Sequence, residues 1–149
     1  MNEDYRDILA ALVAEQARFL VVGAHALAVH GYPRATVDID IWIEPTPENA
    51  DRVWRALAAF GAPLQDLDVT KNDLTRADIV AQFGLPPSRI DILTGVSGLT
   101  FDGAWINRLE APIEGVWVPV IGLNDLVANK QASGRDKDRA DVKGLHGRS

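Results

Sequence analysis

The chain has 149 residues, 47% hydrophobic and 24% charged, with a formal net charge of −6 and no cysteine. Those proportions are the globular average and exclude collagen-like, coiled-coil and disordered chains, while the missing thiols exclude disulfide scaffolds, thiolate metal sites and cysteine nucleophiles. A length near that of an average domain predicts one unit spanning residues 1–149, built around one core.

The N-terminus, Met-Asn-Glu-Asp-Tyr-Arg-Asp, is polar and acidic, and nowhere do ~18 apolar residues run together, so a cytoplasmic address without membrane association is expected. Residues 4–17 place Ile8, Leu9, Leu12 and Val13 at helical spacing behind Asp4 as N-cap. Phe19-Leu20-Val21-Val22 reads as a short buried strand that ends at Gly23, where Ala24 to Val29 opens a helix directly at the strand tip. His30-Gly31-Tyr32-Pro33 breaks that helix. Val37 to Ile43 alternates strictly, with Val37, Ile39, Ile41 and Ile43 on one face and Asp38, Asp40 and Trp42 on the other.

Pro45-Thr46-Pro47 leads into a helix from Glu48 to Phe60, with Val53, Ala56, Leu57 and Phe60 on its apolar side and Gly61 past its end. The Asp- and Asn-rich stretch through residue 73 carries no periodic signal. Ile79 to Phe83 and Arg89 to Thr94 read as a hairpin around Leu85-Pro86-Pro87-Ser88, with Arg89 and Asp91 alternating against Ile90 and Ile92. A short helix is expected over Phe101 to Arg108, then two β-like runs separated by Gly115 and ending at Val120-Ile121. Gly122 to Ala132 and Asp136 to Leu145 close the chain as two helices with Gly134 between them. The fold class expected is α+β, a small mixed sheet flanked by helices.

Charge is unevenly spread: residues 130–149 carry six basic against three acidic side chains, and the remainder nine against eighteen. An acidic body therefore carries a basic C-terminal segment, read either as a solvated helix end or as a local contact for an anion.

Asp38 and Asp40, two apart on a strand, project from one face, and two such carboxylates can grip one hard cation. Burying them without a cation would force one to keep its proton. Asp91, in a strand able to lie alongside, makes a third carboxylate of the kind that holds paired Mg²⁺ ions. The Gly23-Ala24 turn opens a helix whose first N–H groups suit a phosphate, and the thirteen residues between Ala24 and Asp38 suffice for a short helix and a return strand. Arg34, a planar donor four residues before Asp38, suits phosphate or a surface acid. His25 and His30 are read as packing or supporting residues, since Mg²⁺ prefers oxygen. The four tryptophans are read mostly as core, with Trp42 also able to stack on a base from the aspartate face.

Val22-Gly23-Ala24 followed after thirteen residues by Asp38-Ile39-Asp40-Ile41 resembles the signature of the DNA polymerase β-like nucleotidyltransferase superfamily. The fuller string, Gly23-Ala24-His25-Ala26-Leu27 through His30-Gly31, Arg34, Thr36 and the two aspartates, with Asp91 and Lys130…Arg135-Asp136-Lys137-Asp138…Asp141 later, resembles small bacterial nucleotidyltransferase proteins related to the AbiEii toxin group. The resemblance implies a minimal polymerase β-like fold with two C-terminal helices and two Mg²⁺ or Mn²⁺ ions on Asp38, Asp40 and Asp91, with Asp91 assisting the acceptor hydroxyl. It further implies triphosphate binding by Gly23, Ala24, Arg34, Thr36, Lys130, Arg135 and Lys137. Ala24 departs from the Ser often found there, so a phosphate contact at that position must come from backbone N–H. The implied activity is transfer of a nucleoside monophosphate from a nucleoside triphosphate to a hydroxyl on a tRNA end, a protein or a small molecule, releasing pyrophosphate. The alternative is a non-catalytic module of the same fold acting by protein contact, as one half of a toxin–antitoxin pair with a cognate partner. Haloacid-dehalogenase-like phosphatases and glycosyltransferases also use D-x-D, but Ile41-Trp42 follows the second Asp here, and the latter usually need a longer chain.

Overall fold

A computed structural model describes residues 2–133. Its order is α1 (Glu3–Ala14), β1 (Phe19–Val22), α2 (Gly23–Val29), β2 (Asp38–Ile43), α3 (Pro47–Phe60), β3 (Val80–Phe83), β4 (Arg89–Leu93), α4 (Phe101–Ile106), β5 (Leu109–Ile113), β6 (Val116–Val120) and α5 (Leu123–Ser133), with one 3₁₀ turn at Asn72–Thr75. The strands form a six-stranded sheet in the order β3-β4-β2-β1-β6-β5. It is mixed, as expected: β2 and β4 run parallel, as do β1 and β6, and the other neighbours are antiparallel. The expected helix from Asp136 to Leu145 lies outside the described residues.

The helix starts follow local chemistry. Asn2, rather than Asp4, caps α1 by accepting from the Tyr5 N–H, so the helix begins earlier than its apolar spacing predicts. Thr46 caps α3, accepting from the Asn49 N–H, and Gly61 ends it at φ 91°, a left-handed conformation that glycine adopts without cost. Asn49 itself is buried; its amide accepts from the Arg18 N–H and donates to the carbonyls of Arg18 and Glu44. The first turn of α3 is thereby tied to the end of the β1–β2 hairpin farthest from the aspartates.

Alternation in β2 sends Ile39, Ile41 and Ile43 into a core shared with Ile8, Leu9 and Leu12 of α1 and Val53, Ala56 and Leu57 of α3, all at most 1% exposed. Each such burial contributes ~1.5–3 kcal/mol for the larger side chains. Val37, expected on that face, precedes the strand and is 47% exposed. Trp117 also departs from the core reading, at 67% exposure near the sheet edge.

Glu114 and Gly115 join β5 to β6 with positive φ at both positions, the signature of a tight two-residue hairpin. That turn makes Ile113 and Val116 a hydrogen-bonded pair, so Pro112 aims its donorless nitrogen at the solvent edge and Pro119 aims its own at β1. The β1–β6 pairing is correspondingly short, with Val21 opposite Val120 and an Ile121 N–H donated to the Val21 carbonyl at 3.1 Å.

Candidate functional site

Parity and register build one polar patch on the sheet. Asp38 and Asp40 leave β2 on one face, and the parallel ladder sets Asp40 opposite Asp91 and Asp38 opposite Arg89. One oxygen from each carboxylate lies within 4.8 Å of the other two. The three aspartates therefore converge, as their alternation predicts. They line a cavity of about 670 Å³ whose walls include Gly23 and Ala24, Thr36, Gln82, Arg89 and Lys130.

Gly23 is required where it stands. Its φ is +70°, and a Cβ built on it would collide with Oδ2 of Asp40. The chain turns from β1 into α2 so closely over β2 that the carboxylate fills the place of a side chain.

Arg89 is the residue that sequence reasoning missed. Its Nη2 donates to Asp38 Oδ2 at 2.5 Å and to Asp91 Oδ2 at 3.2 Å, and its Nε donates to Asp91 Oδ1 at 3.1 Å. The signal lay in the same alternation, since Arg89 precedes Asp91 by two and shares its face. Around this pair, Gln82 Nε2 donates to Asp91 Oδ2 at 3.3 Å, and the Thr36 hydroxyl lies 3.1 Å from both Asp38 Oδ1 and the Asp38 carbonyl.

Among the described residues, Asp40 has no such cation on its oxygens. Burial first, then the charges of Asp38 and Asp91 and a hydrogen bond with Asp91, push its carboxyl up to about 7, with Arg89 opposing. Beneath the patch, Tyr5 aims its hydroxyl at the carbonyls of Pro87 and Arg89, at 3.0 and 3.2 Å, and burial and Asp38 push it up to about 12. His25 packs edge-on against the Tyr5 ring, and burial holds its imidazole below the ordinary range. His30 Nε2 lies 2.8 Å from the Ile121 carbonyl. Neither histidine joins the carboxylates, which agrees with the packing reading.

Other expectations fare differently. Trp42 is 1% exposed, covered edge-on by Phe101 of α4, so it cannot stack on a base. Arg34, in the connection from α2 to β2, is not among the cavity-lining residues, whereas Thr36 is. Lys130 reaches the cavity wall from α5 and is 7% exposed. Arg135 and Lys137 lie outside the described residues.

Three oxygen donors this close suit a hard divalent cation. An acidic group beside a glycine-opened helix suits a cation-bound phosphate ester better than a free anion.

Residues 3–146 match a family described as "Nucleotidyltransferase of unknown function (DUF6036)". A crystallised protein of Thermotoga maritima, presumed to be a nucleotidyltransferase, shares the fold with a TM-score of 0.62 at 17% identity, over 97% of this chain and 91% of that one. No curated protein matches the sequence.

Proposed function

The chain belongs to the DUF6036 family of nucleotidyltransferases of unknown function, and from that premise we propose that it moves a nucleoside monophosphate from a nucleoside triphosphate to a hydroxyl acceptor on an RNA end, a protein or a small molecule. The observation that carries this reading is the convergence of Asp38, Asp40 and Asp91 beside the Gly23-Ala24 turn. The donors are all oxygen, so Asp38, Asp40 and Asp91 would hold Mg²⁺ or Mn²⁺. Two such ions supply Lewis-acid polarisation of the phosphoryl group and shielding of its charge.

The chain's own residues do the rest. Backbone N–H groups at Gly23 and Ala24 face the phosphates, Lys130 adds a charge on the cavity wall, and Arg89 keeps Asp38 and Asp91 oriented. Asp91 accepts the proton of the acceptor hydroxyl. The acceptor oxygen forms a bond to the α-phosphorus as the bond to the β-phosphate oxygen breaks, and pyrophosphate leaves.

Incubation with α- and γ-labelled triphosphates, Mg²⁺ and a set of acceptors tests the reading. The α-label is expected on the acceptor and the γ-label in pyrophosphate; release of inorganic phosphate instead would sink it. Asp91→Ala is expected to lower turnover by ~100-fold or more and nucleotide affinity by much less, because Asp91 serves the attacking oxygen more than the bound nucleotide. A non-catalytic module of the same fold is the weaker reading. Contact with a partner protein gains nothing from three converging carboxylates, one of which is pushed up to about 7 by burial first and then by the charges of the other two.

A further inference from the structure

We propose that Arg89 stands in for the second divalent cation until a triphosphate arrives, so that the free site takes one ion and the nucleotide-bound site two. The proposal rests on the nucleotidyltransferase reading of the site and adds the order in which it is loaded.

The parallel register sets four side chains at the corners of a rectangle on one face, Asp38 beside Arg89 and Asp40 beside Asp91. Three corners are acids and the fourth is a base. From its corner the guanidinium donates to three of the six carboxylate oxygens, Asp38 Oδ2 and both oxygens of Asp91. Asp38 Oδ1 and the two oxygens of Asp40 accept nothing from Arg89, and they are open to a first ion. A second ion must take oxygens that Arg89 holds. Charge-assisted, two-pronged Arg–carboxylate contacts of this kind are the strong ones among hydrogen bonds, so a second ion alone is held off.

The charge of the cavity points the same way. Its described lining residues include four aspartates, Asp38, Asp40, Asp78 and Asp91, and two bases, Arg89 and Lys130. Fully ionised, these groups carry an excess of two negative charges, which one divalent ion neutralises. A second would leave the cavity positive until a triphosphate brings its own negative charge. Phosphate oxygens then offer the guanidinium another planar partner, and Arg89 releases Asp38 and Asp91 to the ion.

Manganese binding to the full chain, followed by electron paramagnetic resonance of the free ion, tests this. Binding that survives in the double variant Asp38→Asn, Asp40→Asn is subtracted as surface or nucleotide binding. One Mn²⁺ is expected on the wild type alone, and two when one of the four α,β-methylene nucleoside triphosphates is bound. Arg89→Gln is expected to take the second Mn²⁺ without nucleotide at least about tenfold more tightly than the wild type, and Arg89→Lys, which keeps the charge, to gain less. Nitrogen-15 spectra of the wild type need no variant: the Arg89 Nε–H signal is expected to move far more when a triphosphate joins Mg²⁺ than with Mg²⁺ alone. Two ions on the wild type without nucleotide, a single ion beside a bound triphosphate, a folded Arg89→Gln that gains nothing, or an Nε–H signal indifferent to the triphosphate would each overturn the proposal. None of these touches the binding of triphosphate on which the nucleotidyltransferase reading stands. Failure of all four triphosphates to bind with Mn²⁺ or Mg²⁺ would remove that reading, and the proposal with it.

Discussion

Asp40 sits between two like charges, under a glycine, and no cation of the described residues lies on its oxygens. Its carboxyl, pushed up to about 7, keeps a proton in the native state over a range in which the unfolded chain, near 3.8, has lost it. The native state therefore binds more protons between those values. The associated stability is complete below about 4 and is lost as pH rises through about 7. Asp40→Asn is accordingly expected to stabilise the protein in excess chelator at pH 8, by on the order of 2 kcal/mol, and to make little difference at pH 4. Thermal melts at the two pH values check this, and an equal effect at both would contradict the electrostatic account. The same residue shows what sequence could disclose. D-x-D alternation makes the shared face legible, and so is Asp91 two positions beyond Arg89. The pairing of Arg89 with Asp38 was not, because it depends on a parallel register between strands some fifty residues apart.

At the scale of elements, the strands and helices were legible where periodicity and punctuation agreed: β1, α3 with its Gly61 stop, and the hairpin of β3 and β4. The boundaries that moved did so for local hydrogen bonds, as when Asn2 displaced Asp4 as the cap of α1. Asn49 was invisible for a different reason. It reads as a polar residue in a helix's first turn, yet its amide satisfies three backbone groups of Arg18 and Glu44 at the far end of the β1–β2 pair. Asn49→Ala is expected to cost about 2–3 kcal/mol, since one N–H and two carbonyls in a buried setting lose their partner. A lower urea midpoint with unchanged slope is the outcome to look for, and Asn49→Asp should recover only the Arg18 N–H contact.

Over the whole molecule, the acidic body and the polar patch act together. A ligand that binds only the native state shifts the entire unfolding equilibrium, by about 2.7 kcal/mol at a hundred times its dissociation constant. Mg²⁺ or Mn²⁺ at pH 8 should therefore raise the melting temperature of the wild type by several degrees. The gain should be smaller in Asp40→Asn, where one oxygen donor is lost and the repulsion it relieves is already gone. A shift of equal size in both proteins would place the cation elsewhere on the acidic surface. Among the described residues no helix is long and apolar enough to cross a membrane. The α+β class was legible at this scale because short strands alternate with helices. The strand order was not, since nothing local in β1 states that it will lie antiparallel to β2 and parallel to β6.

The contact between Gly23 and Asp40 also binds the history of the two positions together. A side chain at 23 and the carboxylate at 40 compete for one space, so a lineage that abandons the glycine while it keeps the acid must turn the carboxylate aside. A descendant that shortened residue 40 would free position 23 to drift, first toward Asn or Asp, which tolerate its positive φ. Within any set of descendants, a residue other than glycine at 23 would thus point to chains in which the carboxylate at 40 had moved or gone, legible from the turn alone.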